Sequence, residues 1–208
     1  MKQLLIFTIA IIITSCGSQK GMKTEENENQ TAAQKSINII VPKASQFVKS
    51  PLRNRIRLKL NASISEVWAL VGKLERMPEY SLGLKRLDAN YNNENVCTGY
   101  TCHFYPMTEK GEVLSHSETM LWYVHDKGFV TLADEPNVFG LQQSLGVVML
   151  EEEEEDTILQ WDVHFTSEND EIIRMNILGF EKALNIDIAQ NLIKIFGGSV
   201  LENYTQTY

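Results

Sequence analysis

Basic and apolar residues alternate through RIRLKL, residues 55–60, so Ile56, Leu58 and Leu60 share one face of a predicted strand. Ser63-Ile64-Ser65-Glu66 comes next as a capping-box pattern, in which the Ser63 and Glu66 side chains satisfy free amides at a helix start. Val67, Trp68 and Val71 belong to that short helix, and Gly72 stops it. LERMPEY (74–80) predicts a second short turn of helix limited by Pro78, because Met77 before the proline is pushed toward extended angles. The period then changes to two. Strands are expected at roughly 84–91, 97–106, 112–124, 128–133, 143–150 and 157–166, with NNEN, TEKG, HDKG and the acidic run 151–156 as turns. From about Ile172 the spacing becomes helical, and Ala189, Leu192, Ile193, Phe196, Val200 and Tyr204 fall on one face. Gly197-Gly198 interrupts that pattern, either ending the helix or admitting a close approach. No internal repeat appears.

One strand, two short helices, a run of antiparallel strands and a long last helix make an α+β arrangement. The stretch SISEVWALVGKLERMPEYSLGLKRLD resembles the start of the START-like, helix-grip superfamily (SRPBCC), which includes polyketide cyclase/dehydrase and lipid-transport proteins. The resemblance rests on the Val67-Trp68 pair in the first helix and on Pro78-Glu79-Tyr80 after the second. It covers roughly residues 53–204. It implies a curved antiparallel sheet of six to seven strands wrapped around the C-terminal helix, with a ligand-binding domain over 53–208. Residues 36–52, SINIIVPKASQFVKSPL, precede the family's usual start and have no assigned place.

The amino terminus carries a separate signal. Lys2 precedes a ten-residue apolar run from Leu4 to Ile13, too short to span a bilayer as a helix and suited to a secretory leader. Ile13-Thr14-Ser15-Cys16 resembles a bacterial lipobox, which implies removal of residues 1–15 and acylation of Cys16. Two or three acyl chains anchor a protein stably, where one binds only marginally. The expected location is therefore the bacterial cell envelope, lipid-anchored, with the outer membrane as the expected surface. Residues 16–35 are polar and read as a flexible acidic tether. Within them TEENEN loosely resembles a surface-export signal and also fits a solvated linker.

Without residues 1–15 the 19 basic residues fall to 18 against 27 acidic ones, a formal charge of −9. That balance, with no basic stripe, excludes nucleic acid as a partner. Cys97 and Cys102 lie five positions apart on one predicted strand, on opposite faces and too far apart for a disulfide.

A three-residue turn with left-handed Gly111 pairs Phe104 with His116, Cys102 with Glu118, Tyr100 with Met120 and Thr98 with Trp122. Alternation puts these on one inward face, while Thr101, His103, Tyr105, Ser115, Ser117 and Thr119 face solvent. Leu159, Trp161, Val163 and Phe165 form the apolar face of the last predicted strand. The candidate pocket comprises Tyr100, Phe104, His116, Glu118, Met120, Trp122, Trp161 and Phe196. His116 and Glu118 give only two metal ligands where a site usually needs three or four. No nucleotide, metal-protease or redox motif is present, so no cofactor is expected. Three functions fit these residues: a membrane-anchored binder of a hydrophobic small molecule or lipid, a polyketide cyclase/dehydrase-like enzyme using His116 or Glu118 as acid or base, and an envelope interaction module with a filled core.

Overall fold

The computed structural model describes residues 41–106, 113–135 and 137–207. Alternation builds β1 (Leu52–Leu60), with Ile56, Leu58 and Leu60 wholly buried. Helix α1 (Ile64–Val71) starts where Glu66 accepts a hydrogen bond from the Ser63 amide at 3.0 Å. A 3₁₀ turn (Leu74–Glu79) contains Pro78 and delivers Tyr80, fully buried, into the core. Strands β2 (Leu84–Tyr91), β3 (Cys97–Phe104), β4 (Ser115–Val124), β5 (Gly128–Ala133), β6 (Gln143–Glu153) and β7 (Asp156–Thr166) form an antiparallel meander.

The long carboxy-terminal helix has three parts. Helix α2 (Asp170–Glu181) is capped by the Asn169 side chain, which accepts from the amides of Glu171 and Ile172. A π-helical segment (Lys182–Ile188) leads into α3 (Ala189–Phe196). Gly197 and Gly198, at φ +75° and +111°, end the helix and turn the chain back. Both functions read into the glycine pair therefore apply, since a β-carbon on Gly198 would stand 1.9 Å from the Lys59 carbonyl.

That turn produces β8 (Ser199–Thr205), antiparallel to β1, which completes an eight-stranded sheet in the order β2-β3-β4-β5-β6-β7-β1-β8. The expected six to seven strands and the helical placing of Val200 and Tyr204 are corrected here. Both residues lie on an exposed edge strand, because the glycines break the helix before them.

The unplaced extension also gains a position. Residues 41–50 run across the outer face of the sheet, where Val48 joins Val130, Leu145 and Val147 in a second small core. Phe47 and Ala44 pack on the same cluster. The main core fills the inner face, between the sheet, α1 and the long helix. Trp68 belongs to it, with its ring 5.2 Å from that of Tyr123.

Bulges alter two inward assignments. Asn90 pairs with Gly99 but Tyr91 with Cys97, so Thr98 is the extra residue and Cys97 turns to the same buried face as Cys102. The expected opposite facing is thus wrong; both thiols are free. In β4, Met120 pairs with Thr131 and Trp122 with Val130, leaving Leu121 as the extra residue. Trp122 consequently packs against the outer cluster, not the cavity.

Because Gly198 is held in left-handed backbone against β1, Gly198→Ala should cost about 2 kcal/mol or more in urea unfolding. Gly83→Ala, where an added β-carbon meets nothing within 4 Å, should change the midpoint little.

Candidate functional site

The sheet is wider than the helix that covers it, and a cavity of about 300 Å³ remains between them. Strands β3 to β7 supply one wall, the 3₁₀ turn and its adjoining loop a second, and α2 with the π segment a third. Phe104, Phe129, Phe139, Trp161 and Phe180 contribute five large aromatic side chains to a mostly apolar lining. Phe129 and Trp161 meet edge to face at 6.3 Å, and Phe104 and Phe139 at 5.8 Å. Asp187, in the π segment, accepts from the amides of Leu82 and Gly83 at 3.0 and 3.3 Å. That contact fixes the loop after the 3₁₀ turn against the helix.

Polar groups converge on the sheet wall. Tyr100 of β3 stands opposite Glu118 of β4, and its hydroxyl donates to Glu118 Oε2 at 2.6 Å. His116 Nε2 lies 3.3 Å from Glu118 Oε1, and the His116 ring meets Phe139 at 5.1 Å. Thr131 of β5 sits 3.5 Å from the Tyr100 hydroxyl. A fifth of the Glu118 side chain is exposed, and that surface lines the cavity.

Burial opposes ionisation of Glu118, yet the adjacent His116 imidazole and the neighbouring Thr131 and Tyr100 hydroxyls outweigh it and hold the carboxyl below the usual carboxylate range. Burial, then the Glu118 charge, pushes the Tyr100 phenol well above its ordinary value, so it remains a donor. Burial does the same to the Cys102 thiol.

Five of the eight candidate pocket residues line this cavity: Tyr100, Phe104, His116, Glu118 and Trp161. The other three do not. Trp122 faces outward through the β4 bulge, Met120 packs against the main core beside the cavity, and Phe196 packs on the core near the helix end. The expected register is also shifted by two residues: Cys102 opposes His116, and Tyr100 opposes Glu118. Among the described residues β3 ends at Phe104 and β4 begins at Ser115. An even shift leaves every side chain on its face. The expected Gly111 turn lies outside the described residues, as does Cys16.

Thr131, Asn176 and Phe180 also line the cavity. Thr131 is legible as the polar residue on the inward parity of GFVTLA, and Asn176 and Phe180 by their helical spacing from Ile173. Phe139 sits in a loop and carries no periodic signal. A second hollow, of about 340 Å³, lies on the outer face beneath residues 41–44, but its Arg55 and Asp162 already satisfy each other at 2.6 and 2.7 Å. Among the described residues no group of three or more His, Cys, Asp or Glu is placed to hold a metal.

A folded-state pKa below the unfolded value stabilises the protein above the ordinary glutamate range, about pH 4.3, and that stability is lost as pH falls through the depressed value. Urea midpoints measured between pH 3 and 6 should therefore fall less steeply below pH 4 for Glu118→Gln than for the native chain.

No protein-family profile matches the sequence, and no curated protein matches it. Solved structures match in shape. XoxI from Bacillus cereus superposes with a TM-score of 0.54 at 14% identity, over 69% of this chain and 95% of that one. The di-domain ARO/CYC StfQ from the steffimycin biosynthetic pathway gives 0.52 at 13% identity, over 70% of this chain and half of that one. A START superfamily protein from Mycobacterium smegmatis gives 0.50 at 11% identity, over 67% of this chain and 99% of that one. Identities at this level speak to fold alone, and the fold is the α+β helix grip of START-like proteins.

Proposed function

We propose that the protein binds a hydrophobic small molecule or lipid in the cavity between the sheet and the carboxy-terminal helix. The carrying observation is the cavity itself, apolar on most sides with a few polar groups converging on one wall. A filled core, as the interaction-module reading requires, is not what these residues form. Affinity comes from burying ligand carbon at about 25 cal/mol per Å². The likeness in fold to a START superfamily protein supports a cavity placed between sheet and helix.

The proposal extends to location. Residues 1–15 form a leader, acylated Cys16 holds the chain on an envelope membrane, and residues 16–35 act as its tether. In cells, Cys16→Ser should move the protein from the membrane to the soluble fraction and abolish incorporation of labelled fatty acid. Unchanged fractionation would remove the anchor from the reading.

One contact favours a second reading. His116 and Glu118 meet at 3.3 Å inside a largely apolar cavity, an arrangement suited to moving a proton on a bound substrate. StfQ, an ARO/CYC protein of a biosynthetic pathway, shares the fold. If His116→Gln with Glu118→Gln left turnover of a genuine substrate intact, this reading would fall.

Ala183 lines the cavity from the π segment, so Ala183→Phe should fill part of the space. Titration with the neutral dye N-phenyl-1-naphthylamine should show about tenfold weaker uptake by this variant, with the thermal midpoint within a few degrees of native. Equal uptake by both chains would place the dye elsewhere and count against the cavity as the site.

A further inference from the structure

The polar groups of the cavity are not evenly distributed. Tyr100, Glu118, His116 and Thr131 come from three adjacent strands and surround one carboxylate. Tyr100 donates to Oε2, His116 Nε2 lies 3.3 Å from Oε1, and Thr131 Oγ1 stands 3.5 Å from the Tyr100 hydroxyl. A carboxylate accepts about four hydrogen bonds. Tyr100 and His116 leave acceptor capacity on Glu118, which lines the cavity.

No lysine or arginine lines the cavity among the described residues. His116 is the one cationisable group there, and its Nε2 already faces Glu118 Oε1 at 3.3 Å. An anionic ligand head would therefore meet a like charge at close range in a largely apolar space, without a free counter-charge. A donor head would find a charged acceptor, which makes the stronger class of hydrogen bond.

Size narrows the ligand further. About 300 Å³ lies at the lower end of the range for small-molecule sites. It suits a compact ring system or one short chain and is too small for a two-chain lipid.

We propose that the cavity selects a compact apolar molecule bearing a hydroxyl or amine, whose donor hydrogen bonds the cavity-facing side of Glu118, and that it rejects carboxylates. This rests on the cavity reading above and narrows its ligand class.

The test uses three molecules of nearly one shape: 2-naphthol, which donates; 2-methoxynaphthalene, which cannot; and 2-naphthoate, which is anionic. The full chain, held in lipid nanodiscs, is titrated with each by calorimetry, with empty nanodiscs as the partitioning blank. At pH 7 the expected order is 2-naphthol tightest, the methyl ether about tenfold weaker, and naphthoate weaker again. In Glu118→Gln the disadvantage of naphthoate relative to 2-naphthol should shrink at least tenfold. Equal binding of all three, or naphthoate binding best, overturns the headgroup inference while leaving the cavity reading standing. So does a native order that persists unchanged in a folded Glu118→Gln protein. If none of the three binds, the cavity reading falls and this inference with it. The native order alone decides the matter if the variant fails to fold.

Discussion

Burial of the inner face of the sheet beneath a single helix is the condition on which the rest of the molecule depends. Eight strands at about 4.8 Å spacing span roughly 34 Å, whereas a helix with its side chains is about 10–12 Å across. One helix cannot cover such a face, even when the sheet curls. Helix α1 and the 3₁₀ turn close part of the gap with Val67, Trp68, Leu74 and Met77, all buried. Loop residues such as Phe139 close more of it. The space that the covering elements leave becomes the cavity, so the site is a consequence of layer geometry as much as of any one residue.

A second constraint acts on the other face. Where residues 41–50 lie across the sheet, the strands beneath are apolar on both sides, as in Phe129 with Val130 and Val147 with Val148. Where none of the described residues lies across it, β3 and β4 present a polar ladder. Thr101 and Ser117 hydroxyls meet at 2.8 Å, and His103 Nδ1 and Ser115 Oγ at 2.9 Å. The sheet thus changes character along its width, according to the elements that lie over it.

The same two constraints decide which parts of the structure are readable from sequence. The alternation in β1 and β7 and the polar outer faces of β3 and β4 separate inward from outward correctly, since period two survives an even error in register. The capping residues of α1 and the proline turn are equally plain. Bulges are not. Nothing in an alternating string marks Leu121 or Thr98 as the extra residue, and each bulge reverses the facing of the strand beyond it, moving Trp122 outward and Cys97 inward. Val200 and Tyr204, four apart, imitate a helical face while belonging to β8. Phe47 and Val48 show no period because they cover a surface made by distant strands.

The π segment has a bearing on how this chain is compared with others. Ile173 and Leu192 both point to the core, and their offset of 19 positions would put them about 100° out of phase on an unbroken α-helix. Eighteen would complete five whole turns. The wider winding of Lys182–Ile188 absorbs that surplus residue and restores the stripe. Aligned by position, a relative with a regular helix would keep its apolar stripe in step with this one only if a one-residue gap is opened between Lys182 and Ile188. A gap placed elsewhere would make conserved core positions look variable.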